Sequence, residues 1–580
     1  MEKRVLLAVI LSFVVLYGYQ AIFPPPPPPQ RAPQESAAAG ADQPAPTPTP
    51  MPTQTANPAV EAPSASPAVA PLVGDREERE VVVENAMVRA VFTSRGAALT
   101  SWRLKKYQDD AGQPLELVPS NVPPGRLLPF MLSVDEAAVS ARLQQALYLP
   151  SATAVDASAA PSRLEFRYQD AAGLSVRKVF SFDPQQPYVI GFTAEITNNG
   201  TALVPAIEWG PALGNGIAGS TTGVYSPPPQ PIFYRDGDVT RVSTDDVPNY
   251  ASQEGTFGFV GVDDHYFLSA ALPSGQPLRV RYAALRVPIE GTEDQAARFV
   301  AWSARYPGAP TDAKFFFGPK DFEVLAAIDR DLVRAIHFGI FAWLVVPLLR
   351  ALNWVNGFVG NYGWSIIILT ALINIAMFPL RHKSVVSMRR MQEIQPEVKA
   401  IQDRYAKLKM SDPARQKMNV EVMNLYRERG VNPASGCVPM LLTLPVLFAF
   451  YSMLSVAIEL RGAPFIGWIR DLSVHDPLFI TPVLMGATQF IQTKMTPSTA
   501  DPMQQKMMLF MPLIFMTFFL WAPSGLVLYW TVSNLWAIGQ QALTNRLIGP
   551  PPQRTVRPPA ERKLKNAGTG KSEQAAKERK

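Results

Sequence analysis

The residues able to do chemistry in the apolar half of this chain are few and neutral. In "LTALINIAMFPLRHKS" (Leu369–Ser384), Thr370 and Asn374 stand among Leu, Ile, Ala, Met and Phe. Their spacing of four puts them on one helix face. A buried amide without partners costs free energy, and lipid offers it none. Similar neutral polar residues recur downstream: Thr443, Thr488, Gln489, Gln492, Thr517, Thr531, Ser533, Asn534, Gln540 and Gln541. Their chemistry is hydrogen bonding. They either tie helices together or line a wet groove. Of 19 methionines, 15 lie between Met377 and Met516, and methionine suits surfaces that accept varied apolar partners. That favours a device handling other hydrophobic segments over one handling a small solute.

What is missing excludes other chemistry. Five apolar segments, at about 361–380, 436–456, 477–493, 507–522 and 526–545, contain no Asp, Glu, Lys, Arg or His. Proton-coupled transport needs titratable groups at depth, and an intramembrane protease needs an acid pair, a metal or a Ser/His pair. The four histidines, His265, His337, His382 and His475, all fall outside these segments, and Cys437 is the single cysteine, so no intrachain disulfide forms. No catalytic residue, metal site or cofactor is expected, and the chain does not read as an enzyme.

The elements that position these residues follow from composition. Residues 1–23 carry Lys3 and Arg4 ahead of a mostly apolar run long enough to span a bilayer. A cleaved signal peptide has the same outline. Six prolines, Pro24–Pro29, replace a small-x-small cleavage site, so an uncleaved anchor with a cytoplasmic N-terminus is expected. Residues 24–74, rich in Pro, Ala, Ser and Thr, read as a disordered linker. Residues 75–330 hold short β-branched runs such as "LEFRYQD" and "VRKVFSFD" punctuated by turn residues, which predicts an antiparallel β-sandwich. His265 reads there as a polar residue near a strand end. Residues 331–360 are interrupted by Pro347, Arg350, Asn353 and Asn356. Trp343, Leu344, Pro347, Leu348, Ala351, Trp354 and Val355 mark one apolar face, predicting an amphipathic helix in the outer interface.

Charge sets the expected topology. The net charge of +6 hides a sorting: residues 381–435 carry 12 Lys/Arg against 6 Asp/Glu, and residues 546–580 carry 10 against 3. Both segments should be cytoplasmic, which puts the β domain outside and both termini inside. In 381–435, Met388, Met391, Ile394, Val398, Ile401, Tyr405 and Leu408 recur at helical spacing. Asp412 and Pro413 can start a second helix and Gly430 can end it, so a helical hairpin is expected. Residues 549–580 form a basic tail.

Several stretches, taken in order, are similar to the YidC family of membrane protein insertases. They are "GNYGWSIIILT", "NPASGCVPMLLTLPVLFAFYSML", "LRGAPFIGWIRDLSVHDPLFITPVLMG", "MTPS" and "DPMQQKMMLFMPLIFMTFFLWAPSGLVLYWTVSN". The likeness covers nearly the whole chain and is strongest from about 360 to 548. The anchor and outer domain resemble the Gram-negative form, and "TSRGAALTSWRLKKY" and "FFFGPKDFEVL" match the start and end of its outer domain. The resemblance implies a membrane protein with an α-helical five-helix core (361–548), an N-terminal anchor helix and an all-β periplasmic supersandwich like those of sugar epimerases. It implies an insertase and chaperone whose hydrophilic groove is open to cytoplasm and lipid, in the bacterial inner membrane. Its partners would be nascent membrane proteins, the ribosome, the Sec translocon and the lipid bilayer, with no role for DNA. Cys437, Pro439, Thr443, Leu444 and Pro445 fall in the span that contacts substrate, and Trp530 at a groove aromatic.

With the polar residues Thr370, Asn374, Gln489, Gln492, Thr517 and Asn534, these make up the expected groove. Many members place an arginine where this chain has Asn374. Arg381, seven residues on, lies on nearly the same face. It is either a positive-inside flank or a cation that snorkels back to the groove mouth. The rival readings are an envelope carbohydrate-binding protein and a polytopic assembly scaffold.

Overall fold

In the computed structural model the described residues run from 71 to 548, apart from 110, 121, 123–124, 214–227, 289–295, 406–413, 431–437 and 497–501. Side chains are also left undescribed at 288, 296, 414–415, 438–444, 502–505 and 548. The expected anchor, most of the linker and the basic tail lie outside the described residues.

Residues 71–319 form three β-sheets. The largest has eleven strands and includes, side by side, Ser162–Asp170, Leu174–Phe182, Val189–Asn198, Ala313–Pro319, Phe267–Ala271 and Phe259–Asp263. Two five-stranded sheets accompany it, one centred on Leu278–Pro288 and Ala296–Arg305 and the other on Val88–Thr93 and Ala98–Gln108. Pairing among the described strands is antiparallel, except that Glu80–Glu84 runs parallel to Ala154–Asp156. Alternation explains the packing. In Leu174–Phe182 the odd turns of the pleat, Val176, Phe180 and Phe182, are buried while Arg177 faces out. The core is aromatic. Phe130 lies 4.7 to 5.4 Å from the rings of Phe180, Phe192, Trp209 and Phe315. Trp102 ties two sheets together by donating Nε1–H to the Phe317 carbonyl at 2.8 Å. One short helix, α1 (Ala137–Gln145), lies against this domain.

The C-terminal region is helical. α2 (Phe322–Ile328) is capped by Asp321, whose carboxylate accepts from the amides of Glu323 and Val324. α3 (Ala342–Val359) ends on Gly360, whose φ of +68° makes the left-handed cap that glycine tolerates. Its buried stripe is Val345, Leu348, Leu349, Leu352 and Val355. Of the predicted apolar face, Leu348 and Val355 belong to this stripe, while Trp343 and Trp354 are exposed, at 70% and 65%. The helix is rotated so that its aliphatic residues, which pack more closely, meet its neighbours.

α4 (Tyr362–Arg404) starts on the Asn361 cap and runs 43 residues without a break through Pro379. The expected span and the first arm of the hairpin are therefore one rod. The second arm, α5 (Ala414–Glu428), packs on it, and Arg404–Glu421 and Arg429–Glu397 ion pairs at 2.8 Å tie the arms. Ile394, Val398 and Ile401 are the buried contacts of that part of α4. Asp412 lies outside the described residues. α6 (Val438–Val456), α7 (Ile480–Met495), α8 (Pro502–Phe519) and α9 (Ser524–Ile548) follow. α9 packs on both α4 and α7, and α8 packs on α7. Among the described residues, Gly339–Val359 and Tyr362–Arg404 are long and apolar enough to cross a membrane by length and composition.

The two regions share a junction. His265 Nε2 lies 2.7 Å from the Ser455 carbonyl at the end of α6. Arg461 sits over Tyr266 and Phe267 at 5.5 and 5.4 Å, and Ser452 donates to the Phe338 carbonyl at 2.8 Å. His265 is thus a docking contact rather than a loose strand-end residue, and burial pushes its pKa down to about 4.

Candidate functional site

Four helices, α4, α6, α7 and α9, converge on a cavity of about 390 Å³. α4 contributes Thr370, Ile373, Asn374, Met377, Arg381, Ser384 and Val385, residues recurring at three or four and so forming one stripe. α6 adds the apolar wall Val446, Leu447 and Phe450. α7 adds Gln489, Gln492 and, at its end, Thr496, and α9 adds Tyr529, Trp530, Ser533, Asn534, Ala537, Gln540 and Gln541. The lining is thus divided, polar on α4, α7 and α9 and apolar on α6.

The polar wall is wired by short bonds. Thr370 Oγ1 donates to the Ile366 carbonyl at 2.6 Å, so its hydroxyl is satisfied within its own helix. Asn374, 3% exposed, donates Nδ2–H to the Thr370 carbonyl at 2.7 Å. Its Oδ1 accepts from Arg381 Nη1 at 2.7 Å. The Arg381 side chain therefore runs back up its own helix and brings a guanidinium beside the buried amide, the direction in which helical side chains tilt. Across the cavity, Trp530 donates Nε1–H to Gln489 Oε1 at 3.0 Å. Asn534 Nδ2 reaches Thr488 Oγ1 at 3.3 Å and the Met485 carbonyl at 3.4 Å, joining α9 to α7. Phe450 and Tyr529 stack at 4.5 Å and close the wall between α6 and α9. Towards the far end of α4, Arg389 is hydrogen-bonded to Asn545, Gln541 donates to Asn545 Oδ1 at 3.0 Å, and His382 Nδ1 is 3.4 Å from Thr544 Oγ1.

Of the residues expected in a groove, Thr370, Asn374, Arg381, Gln489, Gln492, Trp530 and Asn534 line this one cavity. Thr517 does not: it is exposed on α8 and donates to the Ile514 carbonyl at 2.7 Å. α8 packs on α7 and touches α9 through Phe519, whose ring lies 5.0 Å from that of Trp530, but Thr517 is turned away, and a polar residue type does not reveal which way a helix is turned. Pro445 is half-buried in α6 and does not line the cavity. Cys437 lies outside the described residues. Pro439, Thr443 and Leu444 lie in α6 with side chains outside them. Ser533, Gln540 and Gln541 are lining residues that the sequence showed only as polar. Their spacing from Trp530 by three, ten and eleven, multiples of a helical turn, was the available signal. Tyr529 and Phe450 carried no such signal.

The arrangement offers a cation, several amides and hydroxyls facing a space walled by apolar groups. It can hold a polar or charged group that would otherwise stand in hydrocarbon. Among the described residues no group of three His, Cys, Asp or Glu is placed to hold a metal.

Comparison with known proteins bears on both regions. The family described as "60Kd inner membrane protein" matches residues 354–550, and the family described as "YidC periplasmic domain" matches residues 80–351. A "Membrane protein insertase YidC" of Geobacter metallireducens is 37% identical over 565 residues, covering 94% of this chain and 99% of the relative. That of Geotalea daltonii is 36% identical, covering 94% and 100%. Among solved structures, an active YidC insertase with its first transmembrane domain resolved aligns with 82% of this chain and 95% of its own, at 18% identity and a TM-score of 0.33. A galactose mutarotase related enzyme from Lactobacillus acidophilus aligns with 41% and 97%, at 8% identity and a TM-score of 0.24.

Proposed function

This chain belongs to the YidC family of membrane protein insertases, and on that premise we propose how its four-helix cavity lets a nascent hydrophobic segment enter the inner membrane. The protein is an insertase with a periplasmic β domain and a helical C-terminal region, and it makes or breaks no covalent bond. The segment's polar flank is held against Asn374, Arg381, Gln489 and Gln492 while its apolar part slides past α6 into lipid. A charged residue at the centre of bare hydrocarbon costs about 2.5–3.5 kcal/mol. A hydrated, hydrogen-bonding wall removes part of that barrier, and partitioning of the apolar part, at about 0.8 kcal/mol per buried CH₂, drives release.

The observation that carries this reading is the Thr370–Asn374–Arg381 relay facing the cavity. Asn374 supplies an amide where many members of the family hold an arginine, and Arg381 returns the charge from one end of the stripe. In the same reading α4 and α6–α9 form the five-helix core, preceded by the residue 1–23 anchor, and α3 lies in the outer interface. Both termini, the hairpin of α4 and α5, and the basic tail are cytoplasmic. Hairpin and tail meet the ribosome, and the Sec translocon is a partner.

The test is reconstitution of the purified chain into liposomes with a single-span substrate carrying a short polar flank. The native chain inserts it, which a scaffold would not. Asn374→Leu lowers the initial rate about tenfold and Asn374→Arg retains most of it. A normal rate with Asn374→Leu, together with no reaction of a cysteine at 374 with water-soluble thiol reagents, would make Asn374 a packing residue.

A further inference from the structure

A second cleft, of about 660 Å³, opens on the outer face of the large β-sheet. Its floor is one cross-strand row. Arg163 is paired with Ser181, Ser181 with Gly191, and Gly191 with Lys314, on four adjacent strands. Directly opposed residues share a face, and here it is the face away from the core, since Leu164, Phe180, Ile190, Phe192 and Phe315 are buried on the other side. The row therefore reads cation, hydroxyl, bare backbone, cation, with the cationic Cα atoms three strand spacings, or about 14 Å, apart. At the centre the floor is low: a Cβ on Gly191 would lie 2.1 Å from Ser181 Oγ, so a side chain there would have to displace the Ser181 hydroxyl. Ser162, Asp183 and Gln186 complete a polar rim.

The neighbouring rows show that this one is unusual. Two residues along this face from Arg163, Glu165 pairs with both Arg167 on its own strand and Arg177 on the next. That carboxyl, hydrogen-bonded first by Arg177, is held down at about 2. Arg163 and Lys314 have no ion-pair partner among the described residues, and both are exposed. A ligand with an anionic group near each end would pair with them. The backbones of Ser181, Gly191 and Lys314 are paired with strands on both sides, so a peptide cannot add across the row as a strand. Side chains then meet the ligand, and they are hydroxyls, an amide, a carboxylate and two cations, beside the apolar Pro161, Phe182 and Val189. That set suits ring hydroxyls between acidic groups.

We propose that this cleft binds an acidic oligosaccharide across the strands, its carboxylates on Arg163 and Lys314 and its hydroxyls on Ser181, Asp183 and Gln186. The site is independent of the insertion cavity. It is tested on the full chain in detergent micelles by calorimetric titration with tetragalacturonate, a neutral galacto-oligosaccharide of the same length, and tetraglutamate. Tetragalacturonate is expected to bind saturably and to weaken as salt rises. The neutral sugar and the peptide should bind at least tenfold more weakly. Exposed charge pairs contribute up to about 1 kcal/mol each, so Arg163→Gln or Lys314→Gln should weaken binding about three- to fivefold and the double variant more than tenfold. Unchanged melting and unchanged insertion by the same preparation show that neither the fold nor the helical site was touched. No saturable binding at millimolar tetragalacturonate, undiminished binding by the double variant, or equal binding of tetraglutamate would each overturn the proposal.

Discussion

Lys178 in the β domain and Arg381 in the helical region are both cations set among apolar groups, and they are handled in opposite ways. Lys178 is fully buried, and its Nζ donates to the carbonyls of Gly96, Phe130 and Ala97 at 2.6, 2.8 and 3.3 Å, with the Tyr148 ring 5.2 Å away. Burial pushes its pKa well below the usual lysine value. Every direction around it is occupied. Arg381 is half-buried, makes one side-chain bond among the described residues, to Asn374, and faces a 390 Å³ space. A cation whose donors are all engaged by the fold stabilises the fold and can do nothing else. One that is engaged on a single side is positioned and still has donors left for a visitor. The β domain is built as a closed core, and the helical bundle leaves an open one.

The comparison is broken most severely at Lys178. Lys178→Ala opens a void and orphans three carbonyls, and should cost about 3–5 kcal/mol in chemical or thermal unfolding of the β domain. Lys178→Met fills the void but donates nothing, and should recover only part of that loss. A change below 1 kcal/mol for Lys178→Ala would mean the closed site is not structural.

Glu459 marks where one regime gives way to the other. It sits in the turn Ile458–Leu460 that joins α6 to the junction, and its Oε1 is buried without a hydrogen-bond partner among the described residues. Burial first, and then the charge of Asp321, pushes its pKa from 4.5 to about 7. Asn353 and the more distant Lys106 act in the other direction. A folded-state value above the unfolded one means that the native chain binds the extra proton. Stability is then greatest below pH 4.5, falls as pH rises towards 7, and levels off above. Glu459→Gln should match the native chain at pH 4.5 and exceed it by about 3 kcal/mol at pH 8, read as a higher melting temperature. A constant offset across that range would remove the proton from the account.

The smallest effects on stability, and the sharpest test of openness, come from pairing Arg381→Gln with Thr517→Val. Arg381→Gln should slow insertion of substrates with acidic flanks about tenfold, close to 1.4 kcal/mol in the barrier, with little effect on neutral flanks or on melting. Thr517→Val, on an exposed face away from the cavity lining, should change insertion by less than a factor of two for either class. Equal loss from both variants would mean that polarity anywhere in the bundle matters and that the cavity has no special standing.

Much of the site was legible before any coordinates. Thr370 and Asn374 at a spacing of four in a charge-free run announce a shared polar face, and Arg381 at seven continues it. That information is local, because a helix has a known period and its residues hold fixed angles to one another. The strand pattern of Leu174–Phe182 is local in the same sense, since its alternation already separates Phe180 from Ser181. Family membership was legible too, from motifs spread along the whole length.

What the sequence could not decide is how these local objects are turned and paired. Helical period fixes relative angles and leaves the absolute rotation to packing. That is why Thr517 reads like Gln489 in sequence yet lies outside the cavity, and why the apolar residues of 342–359 do not reveal that Val345, Leu349 and Leu352 meet the neighbouring helices while Trp343 and Trp354 stay exposed. Continuity of α4 through Pro379 was likewise not readable from the residue type, since a proline inside a helical pattern ordinarily ends or kinks it. The row of Arg163, Ser181, Gly191 and Lys314 exists only because strand register sets residues distant in the chain side by side. Residue types and their periods are properties of the chain, whereas the faces they share depend on which surfaces exclude solvent together, and only the folded molecule settles that.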